Sequence, residues 1–209
     1  KFRNPKSEIR NVMGSIWTII LAAGESKRMG SPKMLLPFGG KTVIERVVEN
    51  VVSSEVDEAI VVLGASGMEI MKRIEKLPVK YCFNSNYREG MLSSVKCGFS
   101  FLPDEYEMVM VLPGDYPGIG PGTINMLITR FMDSQKKIVI PLFRGRRGHP
   151  ILISYELRKE VTRLSPEKGL KGLLEMYSEE VLEIKVDDKA VINDIDTIED
   201  YYNELKQIT

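Results

Sequence analysis

Leu21-Ala22-Ala23-Gly24-Glu25-Ser26-Lys27-Arg28-Met29-Gly30-Ser31-Pro32-Lys33 is the stretch on which the fold turns. The apolar run just before it, residues 16–21, reads as a strand, and a helical pattern begins near Thr42. A glycine-containing loop that leaves a strand can turn its backbone N–H groups toward an anion. Arg28 and Lys33 add two cations to the same loop. Hydrogen-bond donors and positive charge together suit the phosphates of a nucleoside triphosphate.

Outward from that loop, strand and helix patterns alternate. Apolar runs at 59–63, 79–83, 108–112 and 138–142 predict strands. Between them, Val43, Ile44, Val47, Val48 and Val51 recur at helical spacing; Met68, Met71 and Ile74 predict a short helix, and residues 93–101 and 123–132 predict two more. Further strands are expected at 148–153 and 181–186, and further helices at 155–164, 169–176 and 195–205. Strands that are apolar throughout, set in a βαβα rhythm, predict a mainly parallel sheet covered by helices on both faces. Such a Rossmann-like α/β sheet binds ligands at the carboxyl ends of its strands.

Three polar clusters follow expected strands: the first loop, Pro113-Gly114-Asp115-Tyr116-Pro117, and Asn193-Asp194-Ile195-Asp196-Thr197. Asp115, between two prolines, is placed to bind Mg²⁺ or to serve as an ordinary turn residue. Asp194 and Asp196 share one side of an extended segment. Asp196 also reads as a helix cap, with Glu199 and Asp200 favouring the helix dipole. Arg144-Gly145-Arg146-Arg147-Gly148-His149-Pro150 is either a solvated basic turn or a clamp for a second phosphorylated substrate. In the segment 84–94, Ser93 is a cap candidate, and Ser93, Ser94 and the loop backbone could instead read a nucleobase edge.

Bulk composition narrows the classes. Lys+Arg and Asp+Glu number 29 each among 209 residues, so no general electrostatic footprint exists for nucleic acid or anionic lipid. No apolar run approaches a membrane span. Cys82 and Cys97 offer neither a metal spacing nor a disulfide framework, and as buried free thiols they fit a cytoplasmic home. Residues 1–13 are expected to be an N-terminal extension or leftover segment, and 14–209 one domain.

Taken together, these motifs resemble the nucleotidyltransferases of the molybdenum cofactor cytidylyltransferase type, within the MobA-like NTP transferases. The first loop is similar to the pattern Leu-Ala-Ala-Gly-x-Ser-x-Arg-Met-Gly followed by Pro-Lys. Gly90-Met91-Leu92-Ser93-Ser94, Pro113-Gly114-Asp115-Tyr116-Pro117, Gly148-His149-Pro150 and the segment 193–197 resemble the later motifs. The resemblance implies a nucleotide-diphospho-sugar transferase-like fold and nucleotidyl transfer with release of pyrophosphate. It implies nucleotide binding by Leu21, Ala22, Ala23, Gly24, Arg28, Lys33, Gly90, Ser93, Ser94 and Gly114. Catalysis would fall to Arg28, Lys33 and Asp115, with Mg²⁺ on Asp115 and Asp196. The acceptor, molybdopterin, would meet Arg147, Gly148, His149, Pro150, Asn193 and Asp194, and a molybdoenzyme would receive the product. Ala22-Ala23-Gly24 implies CTP, since Ala-Gly-Gly in this place goes with GTP. The alternatives are transfer to a sugar or polyol phosphate, a GTP-using guanylyltransferase, and a nucleotide-binding module without turnover.

Overall fold

The computed structural model describes residues 14–207; the expected N-terminal extension, 1–13, lies outside them. In chain order the elements are β1 (Ile16–Ala22), β2 (Pro37–Phe38), β3 (Lys41–Thr42), α1 (Val43–Val52), β4 (Glu58–Leu63), α2 (Gly67–Ile74), β5 (Lys80–Phe83), α3 (Met91–Ser100), β6 (Met108–Pro113), α4 (Pro121–Met132), β7 (Ile138–Phe143), β8 (Arg146–Arg147), β9 (Ile151–Ser154), α5 (Arg158–Arg163), α6 (Gly169–Met176), β10 (Val181–Lys185) and α7 (Ile198–Leu205).

Strands β10-β7-β9-β6-β1-β4-β5 form the main sheet in that order, with β8 paired to β7. Side-chain alternation explains why its central strands β1, β4 and β6 are apolar at nearly every position. Ile16, Ile20 and Ala22 of β1 pack with α1, α2 and α4 on one face. Trp17, Ile19 and Leu21 of the same strand pack with α3, α5 and α6 on the other. The expected three layers are present.

The sheet is parallel through β6-β1-β4-β5, but β9 runs antiparallel to both β6 and β7. The expected strand at 148–153 therefore begins later, at Ile151, and runs in reverse. This reversal places the start of β9, rather than its end, at the carboxyl rim of the parallel strands. Ile151 stands level with Val111, so His149 and Pro150 arrive at the rim beside the end of β6.

From β1 the chain moves to β4 and β5 on one side, then returns to β6 on the other. The loops after β1 and β6 diverge at this switch point and leave a crevice. A satellite cluster of Phe38, Val43, Ile195 and Tyr201 fastens α7 beside that crevice, with the Tyr201 hydroxyl donating to the Pro37 carbonyl at 2.6 Å. Among the described residues no helix is long and apolar enough to cross a membrane.

Candidate functional site

The loop after β1 makes two short 3₁₀ turns, Lys27–Met29 and Lys33–Leu35. Ser26 and Gly30 adopt left-handed backbone conformations on either side of the first turn, with φ of 52° and 65°. The Lys33 N–H donates to the Ser26 hydroxyl at 3.1 Å and closes the loop. Its side chain then points back across the crevice. Lys33 Nζ donates to Asp115 Oδ2 at 2.6 Å and to Asp196 Oδ1 at 3.0 Å. Arg28 donates to the other oxygen of Asp196 at 2.6 Å.

Backbone contacts explain how distant segments meet. The Gly114 N–H donates to the Leu21 carbonyl, and the Ile195 N–H donates to the Asp115 carbonyl. These two bonds tie the turn after β6 to the end of β1 and to the acidic segment. Asp115, Asp194 and Asp196 thereby offer carboxylate oxygens within 4.8 Å of one another. Three convergent hard oxygen ligands fit a divalent cation such as Mg²⁺ or Mn²⁺. Asp115 Oδ1 is buried and has no hydrogen-bond partner among the described residues, which leaves it free for a ligand.

The electrostatics are those of a compact cluster of opposed charges. Burial works against charge on Lys33, yet Asp115 and then Asp196 outweigh it and hold the ammonium above the ordinary lysine range. Burial also raises Asp194. A hydrogen bond from its own backbone opposes this, and the nearby charges of Asp115 and Asp196 push it further upward. His149 is pushed down to about 4 by burial, against the pull of Asp194, and is neutral at pH 7. Its ring meets Tyr116 edge-on with centroids 5.0 Å apart. Burial, followed by the three aspartates, keeps the Tyr116 hydroxyl protonated.

A cavity of about 390 Å³ gathers these groups, within the range of small-molecule sites. Of the residues singled out in the sequence, Leu21, Ala23, Gly24, Lys33, Gly90, Ser94, Asp115, His149, Asp194 and Asp196 line it. Arg28 reaches it through Asp196 while remaining 75% exposed. Ser94 is held by the Asn84 amide. Ser93 does not cap α3; Gly90 occupies that position, and the Ser93 hydroxyl donates to the Gly90 and Asn86 carbonyls. The cap of α7 is Thr197 rather than Asp196, in a capping box with Asp200, so Asp196 keeps both oxygens for Arg28 and Lys33.

Two of the acceptor-side candidates lie outside the cavity lining. Arg147 lies on β8 and donates to Glu183 at 2.6 Å, outside the cavity lining, because the expected loop folds back as a hairpin on β7. Asn193 likewise turns away and donates to Glu204. Asp194 joins the two acids expected to hold metal. Alternation alone put it on the side of Asp196 but could not bring Asp115 to it. Tyr87, Met91 and Tyr116 also line the cavity. Tyr87 sits close because Gly64 has no side chain: a Cβ there would lie 2.9 Å from Tyr87 and 2.7 Å from the Ala23 carbonyl.

Residues 18–181 match the family described as MobA-like NTP transferase domain. The chain is 29% identical over 201 residues to "Nicotine blue oxidoreductase" of Paenarthrobacter nicotinovorans, covering 90% of this chain and 95% of that one. It is also 29% identical over 201 residues to "Molybdenum cofactor cytidylyltransferase" of Escherichia coli, covering 94% and 99%. A "Probable molybdenum cofactor guanylyltransferase" of Bacillus cytotoxicus is 32% identical over 75% of this chain and 77% of its own. Among solved structures, Rv0371c of Mycobacterium tuberculosis superposes with a TM-score of 0.82 at 25% identity, over 92% of this chain and 98% of that one. Its complex with manganese superposes at 0.78, with 24% identity and the same coverage.

Proposed function

We propose, from the premise that this chain belongs to the family of MobA-like NTP transferase domains and is a nucleotidyltransferase, that it moves CMP from CTP to the terminal phosphate of a molybdopterin-type acceptor. The observation that carries the proposal is Lys33 lying between Asp115 and Asp196 in one crevice, with Arg28 on the far oxygen of Asp196. Separate segments supply cations for phosphates and acids for a cation within a span that a triphosphate can bridge.

In this mechanism the acceptor phosphate attacks the α-phosphorus of CTP in line, a P–O bond forms, and the bond to pyrophosphate breaks. The phosphate nucleophile is already ionised at neutral pH, so no general base is needed. Lys33 and Arg28 hold the triphosphate and stabilise the negative charge that develops on the leaving pyrophosphate. Asp115, Asp194 and Asp196 would hold Mg²⁺, which supplies charge neutralisation between phosphate oxygens. Leu21, Ala23 and Gly24 lie toward the base and ribose with Gly90 and Ser94, while His149 and Tyr116 present a neutral, partly aromatic wall to the acceptor.

Ala23 supports CTP. It is 5% exposed, packed against Gly64, and keeps the loop one methyl fuller than glycine would. The relative named as an oxidoreductase and the one named as a cytidylyltransferase are equally identical to this chain, so the site groups rather than the likeness carry the choice of chemistry. The decisive assay supplies CTP, GTP or ATP with Mg²⁺ and molybdopterin, and follows pyrophosphate and the mass of the product. A CMP adduct of the pterin is expected. Transfer only from GTP, or only to a sugar or polyol phosphate, selects one of the alternatives. Absence of pyrophosphate with every pair refutes the transfer itself. Working in the cytoplasm, such an enzyme would hand its product to a molybdoenzyme.

A further inference from the structure

We propose that Lys33 acts as a tethered counter-ion which keeps the carboxylate cluster closed to a divalent cation until a triphosphate draws its ammonium away. This deepens the function proposed above and rests on its cation and triphosphate site.

The ammonium sits where a cation would need to be. It already holds Asp115 Oδ2 at 2.6 Å and Asp196 Oδ1 at 3.0 Å, two of the three acids whose oxygens converge within 4.8 Å. Its side chain is only 11% exposed and that of Asp115 only 14%, so solvent screens this contact poorly. A divalent ion on the same oxygens would stand within a few ångströms of a second positive charge. Both cannot occupy the cluster at full strength. A second cation guards the outer side, since Arg28 takes the remaining oxygen of Asp196.

Lysine is suited to withdrawal because its charge rides on a flexible four-carbon stem. A triphosphate offers several anionic oxygens on the same face of the crevice and so compensates the ammonium for the carboxylates it leaves. Asp115 Oδ1, buried and without a hydrogen-bond partner among the described residues, is then joined by Oδ2, and the acid can turn both oxygens to a metal. The consequence is positive coupling: nucleotide tightens the cation and the cation tightens nucleotide by the same factor. The enzyme would load metal with its substrate rather than hold it at rest.

The test is made without nucleotide or acceptor, by titrating the protein with Mn²⁺ and following the electron paramagnetic resonance signal of the free ion. Lys33→Met is expected to bind Mn²⁺ at least tenfold more tightly than the wild type. Lys33→Arg, which keeps the charge, is expected to stay within about threefold of the wild type. Adding Asp115→Asn to Lys33→Met should abolish the gain. Circular dichroism establishes that each variant is folded, and Lys33→Gln replaces Lys33→Met if the latter is not. A folded neutral variant that binds Mn²⁺ no more tightly than wild type overturns the proposal. So does a gain that survives Asp115→Asn. Because the readout uses Mn²⁺ alone, a wrong base or acceptor would leave its outcome unchanged while refuting the transfer assay above.

Discussion

Lys33 and Asp115 hold each other at 2.6 Å, largely out of solvent, and the proposed transfer depends on both. Removing charge from Asp115 while keeping its shape isolates that dependence. Asp115→Asn is expected to lower turnover on the order of a hundredfold or more, in line with other lost electrostatic stabilisers. Near wild-type turnover at saturating Mg²⁺ would remove Asp115 from the catalytic set. Ala23→Gly should raise GTP use relative to CTP, read as the ratio of kcat/KM for the two nucleotides; an unchanged ratio rules out the methyl group as a base filter. His149 makes a prediction about pH. Its folded value of about 4 lies below its ordinary 6.5, so the unfolded chain takes up the proton first. Stability present above pH 6.5 is therefore lost as pH falls toward 4, by about 3 kcal/mol in all. Asp194, raised in the folded chain, works in the opposite sense near its own titration. Comparing melting temperatures of wild type and His149→Gln across this range isolates the histidine. Parallel profiles would show that its burial is not coupled to folding.

At the scale of elements, the path into β9 shows how backbone contacts aim a side chain. Gly148 donates to the Pro141 carbonyl, and His149 donates to the Val191 carbonyl at 2.7 Å. A Cβ on Gly148 would lie 2.3 Å from that same Val191 oxygen, a backbone atom that cannot step aside as a side chain can. Gly148→Ala should therefore cost about 1–3 kcal/mol of stability, the range for overpacking, measured by urea unfolding. Because it displaces His149, it should raise KM for the acceptor more than KM for CTP. Equal changes in the two would separate His149 from the acceptor. The loop was legible in the sequence as basic and glycine-bearing, with His149-Pro150 at its end. Its partner was not, because Val191 is more than 40 positions away and nothing in local spacing marks it. The same limit explains Arg147: a run of arginines looks like one clamp until the β7–β8 hairpin turns this one toward Glu183.

Across the whole molecule, ligand and fold should be linked. A site assembled from the ends of β1 and β6, the start of β9 and the segment before α7 can bind only the folded chain. CTP with Mg²⁺ at a hundred times its dissociation constant should add about 2.7 kcal/mol of stability. For a chain of this length that corresponds to a rise in Tm of roughly 5–10 °C. Chelation by EDTA should abolish turnover, and either Mg²⁺ or Mn²⁺ should restore it. A Tm unmoved by Mg²⁺ and CTP together would mean that this crevice does not take the nucleotide.

Local order was written in the chain itself. Apolar runs such as 108–112 and 16–21, the latter broken only by Thr18, demanded strands buried on both faces, and the periodic valines of 43–51 demanded a helix on that sheet. Arg28, Lys33 and Asp115 stood out by residue type, on the loops that leave β1 and β6. Which of them touch was decided only in three dimensions. The reversed β9, the apolar anchoring of α7 by Phe38 and Tyr201, and the bond from Ile195 to Asp115 join segments from about 40 to more than 160 residues apart. Pairings at that separation depend on how whole faces bury one another, and residue spacing along the chain carries no record of them.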